Sequence, residues 1–245
     1  MIPKNHPRFV SLMTRELIVE GVRNGITSTH GLIAQGRGEA FDYLIGEKST
    51  DSALAAEKIA AAELLLAKRP VISVNGNATA LVPAELIKLG ETVNAPLEVN
   101  LFHRTEDRVN NIIKHLHSLG ARNLCTKSNA LIPGIDHERA KVDSNGILRA
   151  DVVLVPLEDG DRCKALVDMG KTVIAIDLNP LSRTAQCANV TIVDNIIRAV
   201  PNISKFAGEL KDLRKEELYE IVRGYDNIET LSLAICEIKK NLESF

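Results

Sequence analysis

From Pro70 onward, short apolar runs alternate with segments of helical character, and this alternation limits the fold more than any other feature of the chain. Val71-Ile72-Ser73-Val74, Leu97 to Phe102, Asn123-Leu124-Cys125, Val152-Val153-Leu154-Val155, Thr172 to Ile176 and Val190 to Val193 read as strands. The text between them reads as helix, ending near Leu89, Leu119 and Met169. Runs that are apolar at successive positions are buried on both faces. In a chain that alternates strand and helix, that means a parallel sheet covered by helices. The expectation is an α/β fold with helical additions at both ends, in one domain: a helical segment over 1–69, a βαβ core over 70–200 and closing helices over 201–245.

The flanks carry weaker signals. Phe9, Leu12, Met13, Leu17 and Val19 fall mostly at helical spacing between Pro7 and Arg23. Gly21, Gly25, Gly31, Gly36 and Gly38 then suggest a turn-rich stretch. An alanine- and leucine-rich helix follows from Thr50 to Arg69, with Thr50 or Asp51 as its N-cap. Residues Asn129 to Asn145 are polar and irregular, the mark of a long functional loop. After Pro201 the text is helical to the end. There Ile228, Leu231, Ile235, Ile238 and Leu242 form an apolar seam, which reads as packing on the parent domain or as a homodimer contact.

Charge and composition remove several functions. Lysine plus arginine is 30 and aspartate plus glutamate 32, a net of 30 − 32 = −2, without the basic excess of a nucleic-acid binder. With 3 Tyr, 5 Phe and no Trp, recognition on stacked aromatic platforms is disfavoured. The four cysteines contain no CxxC pair and read as small core residues. The start lacks an apolar signal region and no stretch has the length of a membrane span, so the expectation is a cytoplasmic protein with no membrane partner.

Nearly every expected strand ends in a polar cluster: Asn75-Gly76-Asn77, Asn100 to Arg104, Thr126-Lys127, Glu158 to Arg162 and Asp177-Leu178-Asn179. In an open parallel sheet these ends converge on one rim, where ligands bind. Neither GxxxxGK[ST] nor a GxGxxG in strand–helix context is present, so a P-loop nucleotidase and an NAD-dependent oxidoreductase are disfavoured. Any phosphate must be met by arginines, with Arg15, Arg37, Arg104, Arg162, Arg183 and Lys127 as candidates. Asp177 reads equally as a ribose ligand or a turn cap. Glu158-Asp159-Gly160-Asp161 reads as a magnesium site or as a turn with Asp161 capping a helix. His103 to Arg108 reads as an anion site or as a solvated helix start. His115 and His117 face different sides of their helix and are not a metal pair.

Five phrases then point further: Gly36-Arg37-Gly38-Glu39-Ala40-Phe41-Asp42-Tyr43-Leu44, Asn75-Gly76-Asn77, Asn100-Leu101-Phe102-His103-Arg104-Thr105-Glu106, Ala150 to Arg162, and Ile176-Asp177-Leu178-Asn179-Pro180-Leu181-Ser182-Arg183-Thr184-Ala185. Together they resemble the archaeal phosphopantothenate synthetases, over nearly the whole chain. The resemblance implies a Rossmann-like core, a homodimer, and ATP-dependent condensation of 4-phosphopantoate with β-alanine, releasing AMP and diphosphate through an acyl adenylate. It implies ATP contacts at Arg15, Arg37, Asp177, Leu178, Asn179, Arg183, Thr184, Asn195 and Ile196. Acid-substrate contacts follow at Asn75, Asn77 and Asn100, with His103 and Arg104 as catalytic residues and Asp159 and Asp161 as ligands for Mg²⁺. The rival readings are a non-catalytic adenine-nucleotide-binding module and a pantoate kinase-like phosphotransferase.

Overall fold

Three helices precede the first strand in the computed structural model, which describes residues 2–244: α1 (Phe9–Arg23), α2 (Thr29–Ile45) and α3 (Asp51–Leu66). Thr50 caps α3, its hydroxyl accepting from the Ala53 amide at 3.2 Å. Of the glycine-dotted stretch expected to be turns, Gly25 is in a turn, but Gly21 lies in α1 and Gly31, Gly36 and Gly38 in α2. Glycine in a helix costs up to about 1 kcal/mol against alanine. At Gly31 that cost permits a contact, because a Cβ there would stand 2.3 Å from Asn77 Oδ1.

The core begins with β1 (Pro70–Val74), followed by α4 (Gly76–Leu81) and α5 (Pro83–Thr92). The sequence predicts one helical stretch to Leu89. It breaks before Pro83, which lacks an amide hydrogen and opens α5 at its first turn. Next come β2 (Leu97–Val99), α6 (Glu106–Ser118) and β3 (Leu124–Cys125). The polar stretch after β3 is partly ordered as a small antiparallel hairpin, β4 (Ala130–Leu131) with β5 (Lys141–Val142), and a 3₁₀ turn at Glu138–Ala140. The chain continues through β6 (Val152–Pro156), α7 (Gly160–Asp168), β7 (Thr172–Ile176), α8 (Arg183–Cys187) and β8 (Val190–Ile192). It closes with α9 (Ile196–Leu210), α10 (Lys215–Val222) and α11 (Asn227–Glu243), so Pro201 lies within α9 rather than before it.

Six strands pair in the order β3-β2-β1-β6-β7-β8, all parallel. Their pleat sorts side chains as a sheet buried on both faces requires. Ile72, Val74, Leu154, Ile174, Ile176 and Ile192 enter one apolar core with α3, α5, α6 and α9. Val71, Val153, Val155, Val173 and Ala175 enter a second with α7 and the hairpin. The sheet is therefore doubly wound, and the strand order reverses between β1 and β6.

Two expectations change. Of the C-terminal seam, Leu231 is buried and Ile238 packs against the same small core, whereas Ile228, Ile235 and Leu242 are exposed. The cysteines are not uniformly core residues, since Cys163 is buried but Cys236 is exposed. Among the described residues no helix is long and apolar enough to cross a membrane.

Candidate active site

A doubly wound sheet opens a crevice at the carboxyl ends of the two strands where its order reverses, because the loops there depart to opposite faces. Here those ends are Asn75, after β1, and Leu157, after β6. Asn75 joins them. Its Nδ2 donates to Pro156 O at 2.7 Å and to Leu157 O at 3.3 Å, while its Oδ1 caps α4 by accepting from Ala78 N. Leu157 holds a left-handed backbone with φ 53°, a conformation that costs free energy for a residue with a side chain.

Helix α2 lies across this crevice and divides it into two adjoining cavities that share Ala34 and Leu157. Close approach of the helix is what glycine permits. Asn77 Nδ2 donates to Gly31 O at 2.9 Å, and a Cβ on Gly76 would meet Ile26 O at 2.5 Å.

The cavity on the β1 side is lined by Ser28, His30, Asn75, Asn77, His103, Arg108 and Arg139 among others, and none of its lining residues is Asp or Glu. It is built for an anion. The rings of His30 and His103 stack with centroids 4.0 Å apart. Loss of water, then the positive fields of His30, Arg108 and Arg139, push His103 below the usual histidine range and favour the neutral imidazole.

The cavity on the β6–β7 side is lined by Arg37, Phe41, Glu158, Asp177, Leu178 and Asn179. Asp177 accepts from Ser182 Oγ at 2.5 Å and from Asn179 N at 2.9 Å. Burial raises its carboxyl above the usual range, against those two bonds and the nearby charge of Arg37. In the wall of the β6–β7 cavity, Glu158 is bonded to Arg139, which lines the β1-side cavity, and to the fully buried Arg162. Burial opposes its ionisation, yet the two guanidinium groups hold the carboxyl below its ordinary value.

The crevice gathers Arg37, Asp177, Leu178, Asn179, Asn75, Asn77 and His103. Other expected site residues lie elsewhere. Arg15 points along the α1–α2 contact, where Glu39 accepts from its Nε at 3.0 Å and its Nη2 at 2.8 Å. Asn195 caps α9 and donates to Asp42 at 2.7 Å, in a separate cavity between α1, α2 and α9. Ile196 is buried in the core, and Ile197 faces that cavity instead. Arg183 pairs with Asp161 at 2.6 Å, and the Thr184 hydroxyl is bonded to Glu158 O at 3.1 Å. Asn100 lines neither cavity, because its Nδ2 holds the carbonyl oxygens of Arg139 and Lys141, at 3.2 and 3.0 Å. Its effect is to fix the segment that presents Arg139. Arg104 turns away to Ser128 Oγ at 2.7 Å, and the anion candidate Arg162 is sealed in the core.

Asp159 and Asp161 do not form a metal pair. Asp159, not Asp161, caps α7 by accepting from Arg162 N, and its other oxygen faces Arg139 Nε at 3.3 Å. Asp161 is taken by Arg183, and among the described residues no three Asp, Glu, His or Cys side chains converge as a metal cage.

Comparison with known proteins fits this geometry. The profile of the phosphopantothenate/pantothenate synthetase family matches residues 52–241. A protein of Methanosarcina mazei is 57% identical over 243 residues, covering 99% of this chain and 96% of its own. One from Thermococcus kodakarensis is 56% identical and one from Thermococcus onnurineus 55%, each over 98% of this chain and 93% of its own. All three are named 4-phosphopantoate–β-alanine ligase. This chain belongs to the phosphopantothenate/pantothenate synthetase family.

For a phosphopantothenate/pantothenate synthetase, the sequence names neither His30 nor Arg139 as a candidate, and offers Arg108 only as the end of the His103–Arg108 anion phrase. Arg139 sits within the polar stretch before β6, so it too had a regional signal. His30 had none, since its place depends on α2 folding over the sheet.

Proposed function

We propose that this chain is an ATP-dependent ligase that condenses 4-phosphopantoate with β-alanine to 4′-phosphopantothenate, releasing AMP and diphosphate, a step of coenzyme A synthesis. The observation that carries the reading is the pair of adjoining cavities at the β1–β6 crevice, one acid-free and cationic, the other bearing Arg37, Asp177 and Asn179. The relatives' names supply the substrates.

A carboxylate is a poor electrophile, so activation comes first. With ATP in the β6–β7 cavity, Asp177 and Asn179 hold the ribose and Arg37 the phosphates. The acid lies in the β1-side cavity with its carboxylate at the shared boundary, Ala34 and Leu157. A carboxylate oxygen then attacks the α-phosphorus and diphosphate leaves. The ammonium group of β-alanine first gives a proton to a neutral ring nitrogen of His103; the free amine then attacks the acyl carbon, AMP leaves, and the second proton lost from the nitrogen passes to solvent. The cationic wall offsets repulsion among the anions brought together, and fixed positioning lowers the entropic barrier. Arg15, Arg183 and Asn195 reach the nucleotide only by exchanging Glu39, Asp161 and Asp42. Mg²⁺ enters with the triphosphate, which needs one or two protein carboxylates at most.

A homodimer is part of the proposal. Val10, Met13 and Leu17 form an exposed apolar stripe on α1, and Ile228, Ile235 and Leu242 another on α11. Light scattering from the purified chain is expected to give twice the 26.7 kDa chain mass. For the activity, chromatography of products from 4-phosphopantoate, β-alanine and ATP is expected to show AMP with 4′-phosphopantothenate. ADP formed without β-alanine would favour the kinase reading, and no turnover the binding module.

A further inference from the structure

The β1-side cavity holds two guanidinium groups in different electrostatic states. Arg139 is neutralised by Glu158 beneath it and lies 3.3 Å from Asp159. Arg108, from the first turn of α6, makes no ion pair among the described residues. Its Nη2 donates to Ile26 O at 3.0 Å and its Nη1 to His103 O, both neutral carbonyls. Its Nε is buried without a hydrogen-bond partner. Withdrawal from water makes its charge less favourable than on a free arginine. A half-buried cation with neither counter-ion nor full hydrogen bonding destabilises the empty protein unless an anion completes it.

We propose that Arg108 is the specificity-determining contact for the terminal phosphate of the acid substrate. This rests on the ligase reading above. The reacting carboxylate must lie at the boundary with the nucleotide cavity, where Leu157 is shared and Arg139 reaches Glu158. A phosphate at the opposite end of the same molecule then falls at the α6 end of the cavity. Arg108, tied there to Ile26 and His103, is the cation left without a counter-charge. A phosphate monoester carries about −1.5 to −2 charges near neutral pH and accepts hydrogen bonds through three oxygens, which suits a guanidinium better than a single carboxylate does.

The test is steady-state kinetics of Arg108→Gln and Arg108→Lys, with 4-phosphopantoate or unphosphorylated pantoate as the acid. Arg108→Gln is expected to raise KM for 4-phosphopantoate by about 30- to 100-fold and to erase most of the preference over pantoate. KM for ATP and for β-alanine should stay within about twofold, and Arg108→Lys should keep part of the preference because it keeps the charge. Inorganic phosphate, used with the unmodified enzyme, is expected to compete with 4-phosphopantoate and not with β-alanine. If Arg108→Gln fails to fold, Arg108→Lys carries the assignment, since a shortened and weakened phosphate contact should raise KM for 4-phosphopantoate and weaken phosphate inhibition together. Unchanged selectivity in the variant, a KM change falling on β-alanine, or phosphate competing with β-alanine would each overturn the assignment. If the unmodified enzyme makes no 4′-phosphopantothenate from the three substrates, the ligase reading fails instead.

Discussion

The side-chain amide of Asn75 donates to the carbonyl oxygen of Pro156 at 2.7 Å, joining the ends of the two strands between which the sheet reverses its order. The same side chain caps α4 and holds Leu157 in its left-handed conformation. Asn75→Ala removes a cap worth about 1 kcal/mol and leaves a carbonyl short of a donor for about 1 kcal/mol more. Denaturant unfolding should show a loss of about 2 kcal/mol, accompanied by a raised KM for the acid. Asn75→Asp keeps the cap but sets a carboxylate oxygen against the Pro156 and Leu157 carbonyls, so it should lose at least as much stability as Asn75→Ala.

Gly31 is the contact through which α2 settles over the crevice. A Cβ at this position would lie 2.3 Å from Asn77 Oδ1 and 2.4 Å from Thr27 Cγ2. Gly31→Ala should therefore move α2, whose Ala34 borders both cavities, and weaken both ATP and acid binding while the circular dichroism spectrum stays that of the parent. Unchanged KM values for both substrates would mean that α2 does not close the site.

His103 is held toward its neutral form by loss of water and by the positive charges around it. A lowered pKa leaves the free base present through neutral pH and lost only as pH falls below the ordinary histidine range near 6.5. The profile of kcat should accordingly fall on the acid side below that range. His103→Gln is expected to lower kcat by about 10²-fold or more and to abolish this limb. A variant within threefold of the parent would remove the proton-accepting role.

Glu57, on α3, is fully buried near Asp194, and burial followed by that negative neighbour pushes its carboxyl up to about 9. The folded chain thus keeps a proton that the unfolded chain releases above its ordinary value of 4.5. Stability from this group is fully present below pH 4.5 and is lost as pH rises toward about 9, at up to about 1.4 kcal/mol per pH unit. Glu57→Gln should flatten the dependence, raising Tm at pH 8 more than at pH 5. Equal shifts at both would show that Glu57 is ionised in the fold.

The sheet is legible in the sequence because its strands are apolar on both faces, and a run such as Val152 to Val155 has no other stable burial. The rim is legible for the same reason, since polarity resumes where each strand leaves the core. Helix α2 is hidden because local propensity disfavours it. Of its glycines, Gly31 serves a contact with Asn77 that only the folded chain contains, whereas Gly36 has nothing within 4 Å. Asn100 and Arg104 show a second limit. Residue type and position after β2 suit a ligand contact, but Asn100 is bound to the 139–141 segment and Arg104 to Ser128. Arg108 is legible only as part of the His103–Arg108 phrase; what separates it from Arg104 is the lack of a counter-ion among the described residues, which no linear pattern records.

Oxygen transfer tests the meeting of carboxylate and α-phosphorus at the Ala34–Leu157 boundary most directly. With 4-phosphopantoate labelled with ¹⁸O in its carboxylate, ATP and β-alanine, mass spectrometry should find one labelled oxygen in the AMP formed. Label in inorganic phosphate beside ADP, or AMP without label, would contradict the account.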